Sequence, residues 1–291
     1  MVAEGTRAEG EIPSLAGSEL SDADFGDVDR PYFHADNNPI DVYAEFEDSH
    51  WWFLARRRIL RQLVERALEG HPARRIVDVG CGPGANIASL SGDCSCVGVD
   101  ISGEAIKIAR ARHQNVEFVH GLAPADVPEA VATADLLLLT DVLEHVRDPG
   151  RMLRELVHAS SPGAHILVTV PAGPELWSEH DRTVGHRVRY TSDTFRGLWS
   201  GLPVDERMIS YFNTYLYPAA WGGRWLSRRR ARTAGHQGTD LSMPPAPINW
   251  LLTRIFALEA RALIQTLEGH RRGFRRGVSL VALLRRVDSP A

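Results

Sequence analysis

A chain of 291 residues, 44% of them hydrophobic, has enough apolar material to bury a core unaided, and a formal net charge of -4 leaves no basic footprint for nucleic acid. Three cysteines, Cys81, Cys94 and Cys96, show neither CxxC nor zinc spacing, which argues against a disulfide framework or a structural metal site. With no signal-peptide core and no apolar run long enough to span a bilayer, the expectation is a soluble protein of a reducing, cytoplasmic compartment.

The charge is uneven. Residues 1–50 carry thirteen acids against two basic residues, whereas 221–287 carry thirteen arginines against three acids. The first 38 residues, rich in Gly, Ser, Asp and Glu, read as a disordered or loosely ordered acidic arm. From 39 to 72, apolar residues such as Phe46, Phe53, Ile59, Leu63 and Leu68 fall at helical spacing, predicting a helical cap of one or two helices.

Residues 73–212 alternate short apolar runs with helical stretches. Strands are expected at Arg75–Val79, Ser95–Val99, Val116–Val119, Asp135–Thr140 and His165–Val170, with a sixth at Glu206–Tyr211. The runs are continuous rather than alternating, as in strands covered by helices on both faces. This predicts an α/β fold with a doubly wound, mostly parallel sheet. A helix is expected over Ala85–Leu90 and another from about Thr191. Residues 213–276 read as a helical insertion containing one amphipathic helix from Ile248 to Leu267. The segment 277–291 holds a last strand, Val278–Leu284, that returns to the sheet as its seventh member.

The chemistry concentrates in a few segments. Ile76-Val77-Asp78-Val79-Gly80-Cys81-Gly82-Pro83-Gly84 is a buried strand running into a glycine turn, where backbone can approach a nucleotide-like ligand at the sheet's carboxyl end. The spacing is GxGxG, not the GxGxxG of nicotinamide enzymes. Twenty positions after Gly80, Asp100 ends the second strand, where a carboxylate can accept from both ribose hydroxyls.

With VDVGCGPG, Asp100 and DLLLLTDVLEHV at 135–146, the sequence resembles the class I S-adenosylmethionine-dependent methyltransferases, a Rossmann-like family. HWWFLARRRIL (50–60) and LWSEHDRTVGHRVRYT (176–191) resemble the branch that includes ubiquinone-type O-methyltransferases and bacterial enzymes of secondary metabolism, such as those of antibiotic biosynthesis. The resemblance implies S-adenosyl-L-methionine as cofactor. It puts Asp78 and Gly80, Cys81, Gly82 and Gly84 around the methionine part, Asp100 on the ribose, Ile101 against the adenine, and Asp141 on the methionine side. The acid that many relatives carry in the third-strand turn is missing from His120-Gly121-Leu122-Ala123, so backbone at Gly121, Leu122 and Ala123 is expected to substitute.

Trp52 and Arg56 are candidates to close over the cofactor, an aromatic face suiting a sulfonium and a guanidinium suiting a carboxylate, with core packing as the competing explanation. Methyl transfer needs alignment more than a base, but a hydroxyl acceptor would benefit from an imidazole, and His145, His180 and His186 leave the carboxyl ends of strands four and five. The polar density of Trp177, His180, Asp181, Arg189 and Tyr190 marks the acceptor side, unless these residues merely brace the loop. No metal is expected. The alternative is a divalent ion on Asp141, Glu144 and His145.

The expected reaction is transfer of a methyl group to a hydroxyl, less readily to nitrogen or carbon, of a small or medium natural-product or quinone-like acceptor. A protein of this fold that uses the cofactor without consuming it, in a cyclisation or elimination, and a non-catalytic cofactor binder are the alternatives. Arg228 to Arg230 and Arg271 to Arg276 beside the insertion leave open a lipid-like or carrier-bound acceptor, or a homodimer contact.

Overall fold

Apolar runs between helix-forming stretches build a seven-stranded sheet with helices on both faces. The computed structural model describes residues 40–71, 74–92, 94–230 and 241–288; the side chains of 41, 42 and 225–230 and the acidic arm 1–38 lie outside the described residues. The strands are β1 (Arg75–Val79), β2 (Ser95–Asp100), β3 (Glu117–His120), β4 (Leu136–Thr140), β5 (His165–Pro171), β6 (Val204–Phe212) and β7 (Ser279–Arg286). Their order is β3-β2-β1-β4-β5-β7-β6. The first five run parallel, while β7 lies antiparallel between β5 and β6. The direction of strand order reverses between β1 and β4, which opens a crevice at their carboxyl ends.

The helices are α1 (Ile40–Phe46), α2 (Trp51–Ala67), α3 (Ala85–Ala88), α4 (Gly103–Arg112), α5 (Pro128–Thr133), α6 (Pro149–Ala159), α7 (Glu179–Thr183), α8 (Ser192–Gly197), α9 (Tyr217–Arg230), α10 (Ala246–Ala257) and α11 (Glu259–Leu267). On one face Val77, Val79, Leu137 and Leu139 meet Leu153, Leu156 and Phe195. On the other, Ile76, Leu136 and Leu138 share a core with Ile59 and Leu63 of α2, Phe256 of α10 and Leu263 of α11. Asn249 ties α10 to the start of α2, accepting from Trp51 N at 2.8 Å and donating to Ser49 O at 2.8 Å. The N-terminal helices and the late helices therefore form one roof over the sheet.

Two expected elements differ. The helix expected to reach Leu90 stops at Ala88, because the Ser89 and Ser91 hydroxyls take the Asn86 and Ala88 carbonyls, at 2.7 and 2.9 Å. The single helix expected over Ile248–Leu267 bends at Leu258 into α10 and α11. The bend falls where the wholly buried Glu259 accepts backbone N–H bonds from Thr214 and Tyr215, at 2.7 and 2.8 Å. Among the described residues no helix is long and apolar enough to cross a membrane.

Candidate cofactor and acceptor site

The turn after β1 is shaped for a ligand. Gly80, Gly82 and Gly84 all have positive φ, at 73°, 55° and 91°. Their surroundings differ. A Cβ on Gly80 would meet Val142 at 2.6 Å and one on Gly84 would meet the Phe118 ring at 2.7 Å, whereas one on Gly82 would meet nothing within 4 Å. Gly80 and Gly84 are therefore glycines for packing, and Gly82 faces open space where a ligand can approach its backbone. Asp100 sits beside this turn. Its two oxygens accept from Ser102 N at 2.8 Å and Gly82 N at 2.9 Å, leaving lone pairs for further donors such as vicinal hydroxyls. Burial raises its pKa, against those backbone bonds.

Asp78 is wholly buried on β1, and neither carboxylate oxygen has a partner. Burial, opposed by Arg56 and reinforced by Asp100, raises its pKa to about 8. Arg56, buried on α2, donates from Nη2 to Asp141 Oδ2 at 2.9 Å and to Thr169 Oγ1 at 3.1 Å, with its guanidinium carbon 4.8 Å from the Trp52 ring centroid. Thr169 Oγ1 donates in turn to Asp141 Oδ1 at 3.0 Å. Asp141 is held at a left-handed φ of 59° at the end of β4, so this buried network supports a strained residue in the crevice.

The other end of the site is organised around Asp181. This wholly buried carboxylate accepts from His186 Nδ1 and Arg189 Nε, both at 2.8 Å, from Ser178 N at 2.8 Å, and lies 3.4 Å from Arg224 Nη1 of α9. Burial would raise its pKa, but the His186 bond and the two arginines outweigh this and hold it below the usual carboxylate range. Arg224 also donates to the Leu176 carbonyl. The other face of His186 looks towards Glu144, with Nε2 3.8 Å from Oε1, and His186 stacks edge-on with His145, centroids 5.0 Å apart. Glu144 is wholly buried with both oxygens unpartnered, and burial together with Asp141 raises its pKa. Burial lowers His145 to about 3, aided by His186, and His180 to about 3, aided by Arg224.

One cavity of about 900 Å³ joins the two ends, running from Gly80–Gly82 and Asp100 past Asp141 to His145, His180 and His186. Over residues 52–216, more than half of the chain, the sequence matches the family model described as "Methyltransferase domain". The chain belongs to the class I S-adenosylmethionine-dependent methyltransferases. Over 146 residues it is 30% identical to the ubiquinone biosynthesis O-methyltransferase of Aliivibrio fischeri (strain MJ11), covering 45% of this chain and 62% of that one. Over 140 residues it is 33% identical to the trans-aconitate 2-methyltransferase of Methylobacterium radiotolerans, covering 47% and 50%. The chain thus spans less than two thirds of the length of these curated relatives. The fold is similar to that of the plantazolicin methyltransferase BpumL in complex with SAH, with a TM-score of 0.52 and 15% identity, over 86% of this chain and 89% of that one.

In this chain Trp52, Arg56, Gly80, Cys81, Gly82, Asp100, Ile101, Gly121, Leu122, Ala123 and Asp141 all line the cavity, together with His145, His180, His186 and Arg189. Asp78, Gly84, Trp177, Asp181 and Tyr190 do not. Asp78 lies within the sheet and Gly84 packs on Phe118. Asp181 and Tyr190 are buried behind the wall, the Tyr190 hydroxyl donating to Leu143 O at 3.3 Å. Leu122 N donates to Asp126 Oδ2 at 2.7 Å, so that amide is committed within the third-strand turn and is not open to an adenine ring.

The carboxylate and imidazoles that converge are Glu144, His145 and His186, whose candidate ligand atoms lie within 4.8 Å of one another; Asp141 is not of that group, being held by Arg56. Their donor set suits a divalent ion. Sequence reasoning missed Tyr43, Glu47, Asn86, Asn213 and Arg224, which also line the cavity. Of these only Asn86 carried a local signal, as the second residue of the helix after the glycine turn.

Proposed function

We propose that this protein transfers the methyl group of S-adenosylmethionine to a hydroxyl of a small or medium natural-product or quinone-like acceptor. The observation that carries the reading is the single cavity connecting the Gly82 and Asp100 end with the three-histidine end. Gly82 offers open backbone, and Asp100 offers acceptor positions to a ribose. The cofactor supplies an electrophilic methyl on a sulfonium. The chain's part is to align the acceptor, exclude water and take the hydroxyl proton.

His186 is the residue for that proton. Its Nδ1 is held by the ionised Asp181, which fixes the ring and stabilises the imidazolium formed when Nε2 accepts. His145 and His180, lowered to about 3, are neutral and too weakly basic for the task; their role is to shape and orient.

A second reading has the acceptor oxygen gripped by a divalent ion on Glu144, His145 and His186, favoured by the buried Glu144 carboxylate, whose oxygens make no hydrogen bond. Mass spectrometry of products from a panel of phenols, quinols and hydroxylated natural products, with and without chelator, tests both. A mass gain of one methyl that survives chelation, and that falls about 10²- to 10⁴-fold in His186→Asn while cofactor affinity holds, supports the base. Loss on chelation with recovery on adding magnesium or manganese supports the ion. A folded protein that binds no cofactor overturns the reading.

A further inference from the structure

Large exposed apolar side chains gather on one part of the molecule. Of the eight among the described residues, seven lie between Tyr215 and Leu258, in the turn before α9, on α9, in the segment entering α10, on α10 and at its end. On α10 and at its C-cap, Ile248, Leu251 and Leu258 recur at helical spacing with Trp250 beside them, and Trp250 and Leu258 are 59% and 67% exposed. A cluster of this kind on a water-facing surface marks an interaction site.

Its charge says what covers it. Residues 241–276 hold six arginines against two acids, and all six arginines are exposed. Neither acid offsets them, since Glu259 is buried on two backbone amides and Glu268 is bonded to Arg66 at 2.9 Å. Arginine and apolar side chains are interleaved. The Arg254 guanidinium lies 5.1 Å from the Trp250 ring centroid, and Arg271 lies 4.7 Å from that of Phe274, which is itself edge-on to Tyr215. A second copy of this chain laid symmetrically on the face would set arginines against arginines, whereas an anionic headgroup layer over acyl chains complements both components at once.

The face is continuous with the cavity. Leu216, Ala219 and Gly223 of the α9 region and Leu252 of α10 line it, and Ala219 and Gly223 are also exposed, so the cavity reaches the surface beside Trp221.

We propose that the α9–α10 face seats this protein on an anionic lipid surface. Trp221, Ile248, Trp250, Leu251 and Leu258 enter the headgroup–acyl boundary, Arg254 and Arg271 meet the headgroups, and the cavity mouth lies against the bilayer. The docking stands on this surface alone, whichever acceptor is methylated.

The test is co-sedimentation of the full chain with vesicles of phosphatidylglycerol and phosphatidylcholine, against phosphatidylcholine alone, at about 0.1 M and about 0.5 M salt. Binding is expected to the anionic vesicles, to weaken with salt, and to fall roughly tenfold or more in Trp250→Ala/Leu258→Ala and in Arg254→Glu/Arg271→Glu, variants whose changes lie at exposed positions and whose folding is checked by circular dichroism. Sedimentation velocity should show the same wild-type monomer as in the variants. No binding, equal binding to both vesicle types, or binding untouched by the variants overturns the proposal. So does wild-type self-association that the variants abolish, which would make the face a dimer interface. The readout needs no turnover, so its failure and a failure of the methyl-transfer reading are distinguishable.

Discussion

Gly82 and Gly84 sit two residues apart in one turn, both at positive φ, and the structure assigns them different tasks. Alanine at either position carries the left-handed penalty of about 1–2 kcal/mol. At Gly84 the new methyl also lands 2.7 Å from Phe118, with Ala109 at 3.2 Å, and overpacking adds about 1–3 kcal/mol. At Gly82 it enters empty space and adds nothing to the folding cost. For a chain of this size 1 kcal/mol moves Tm by about 2–4 °C, so Gly82→Ala should lower Tm by roughly 2–8 °C and Gly84→Ala by roughly 4–20 °C. Cofactor affinity should reverse the order, because only the Gly82 methyl occupies the space through which a ligand meets this backbone. We expect a Kd for S-adenosylmethionine or its demethylated product raised about a hundredfold in Gly82→Ala, about 2.7 kcal/mol, and by less than about fivefold in Gly84→Ala. Scanning fluorimetry and isothermal titration read the two quantities on the same samples. Equal loss of Tm in both variants, or normal cofactor binding by Gly82→Ala, would refute the assignment.

Asp78 binds its proton more tightly in the folded chain than in the unfolded one, so its contribution to stability is lost as pH rises from about 4 to about 8, by at most about 6 kcal/mol. Asp78→Asn should therefore raise Tm relative to wild type at pH 9 and much less at pH 5; a difference independent of pH contradicts the orphaned carboxylate. Breaking the buried Arg56–Asp141 pair from one side strands a charge, so Arg56→Met should cost about 3–5 kcal/mol, and Arg56→Met/Asp141→Asn should recover part of it. Denaturant unfolding measures the cycle, and strictly additive losses would show that the pair is not coupled. Asp181→Asn should depress turnover as far as His186→Asn does, with no further loss in the double variant, since the two act as a unit.

The parts of the site that were legible in the sequence are those written contiguously. A buried strand, a glycine turn and an acid at the next strand's end occupy 76–100, and their geometry follows from local backbone and one strand pairing, Gly80 N and Cys81 N both donating to Val99 O. The cavity's outer wall was not legible, because Tyr43, Asn213 and Arg224 reach it only through the packing of α1, β6 and α9 around α2 and the sheet. The polar run 176–191 shows the limit most clearly. Composition marks it as functional but cannot separate wall from buttress, and the structure makes His180, His186 and Arg189 wall and Asp181 and Tyr190 buttress. Likewise the periodicity of 248–267 was right for helix and blind to the bend, which depends on backbone amides of Thr214 and Tyr215 more than 40 residues away in sequence.

The buttress joins separate segments of the chain at one residue. Asp181 receives His186 from the 176–191 loop, Arg189 from the same loop just before its bridge to β5, and Arg224 from α9, the helix that carries the exposed Trp221 on its surface. A buried carboxylate is tolerated only while its partners remain, so Arg224, and α9 with it, is held against the 176–191 loop by the charge it compensates.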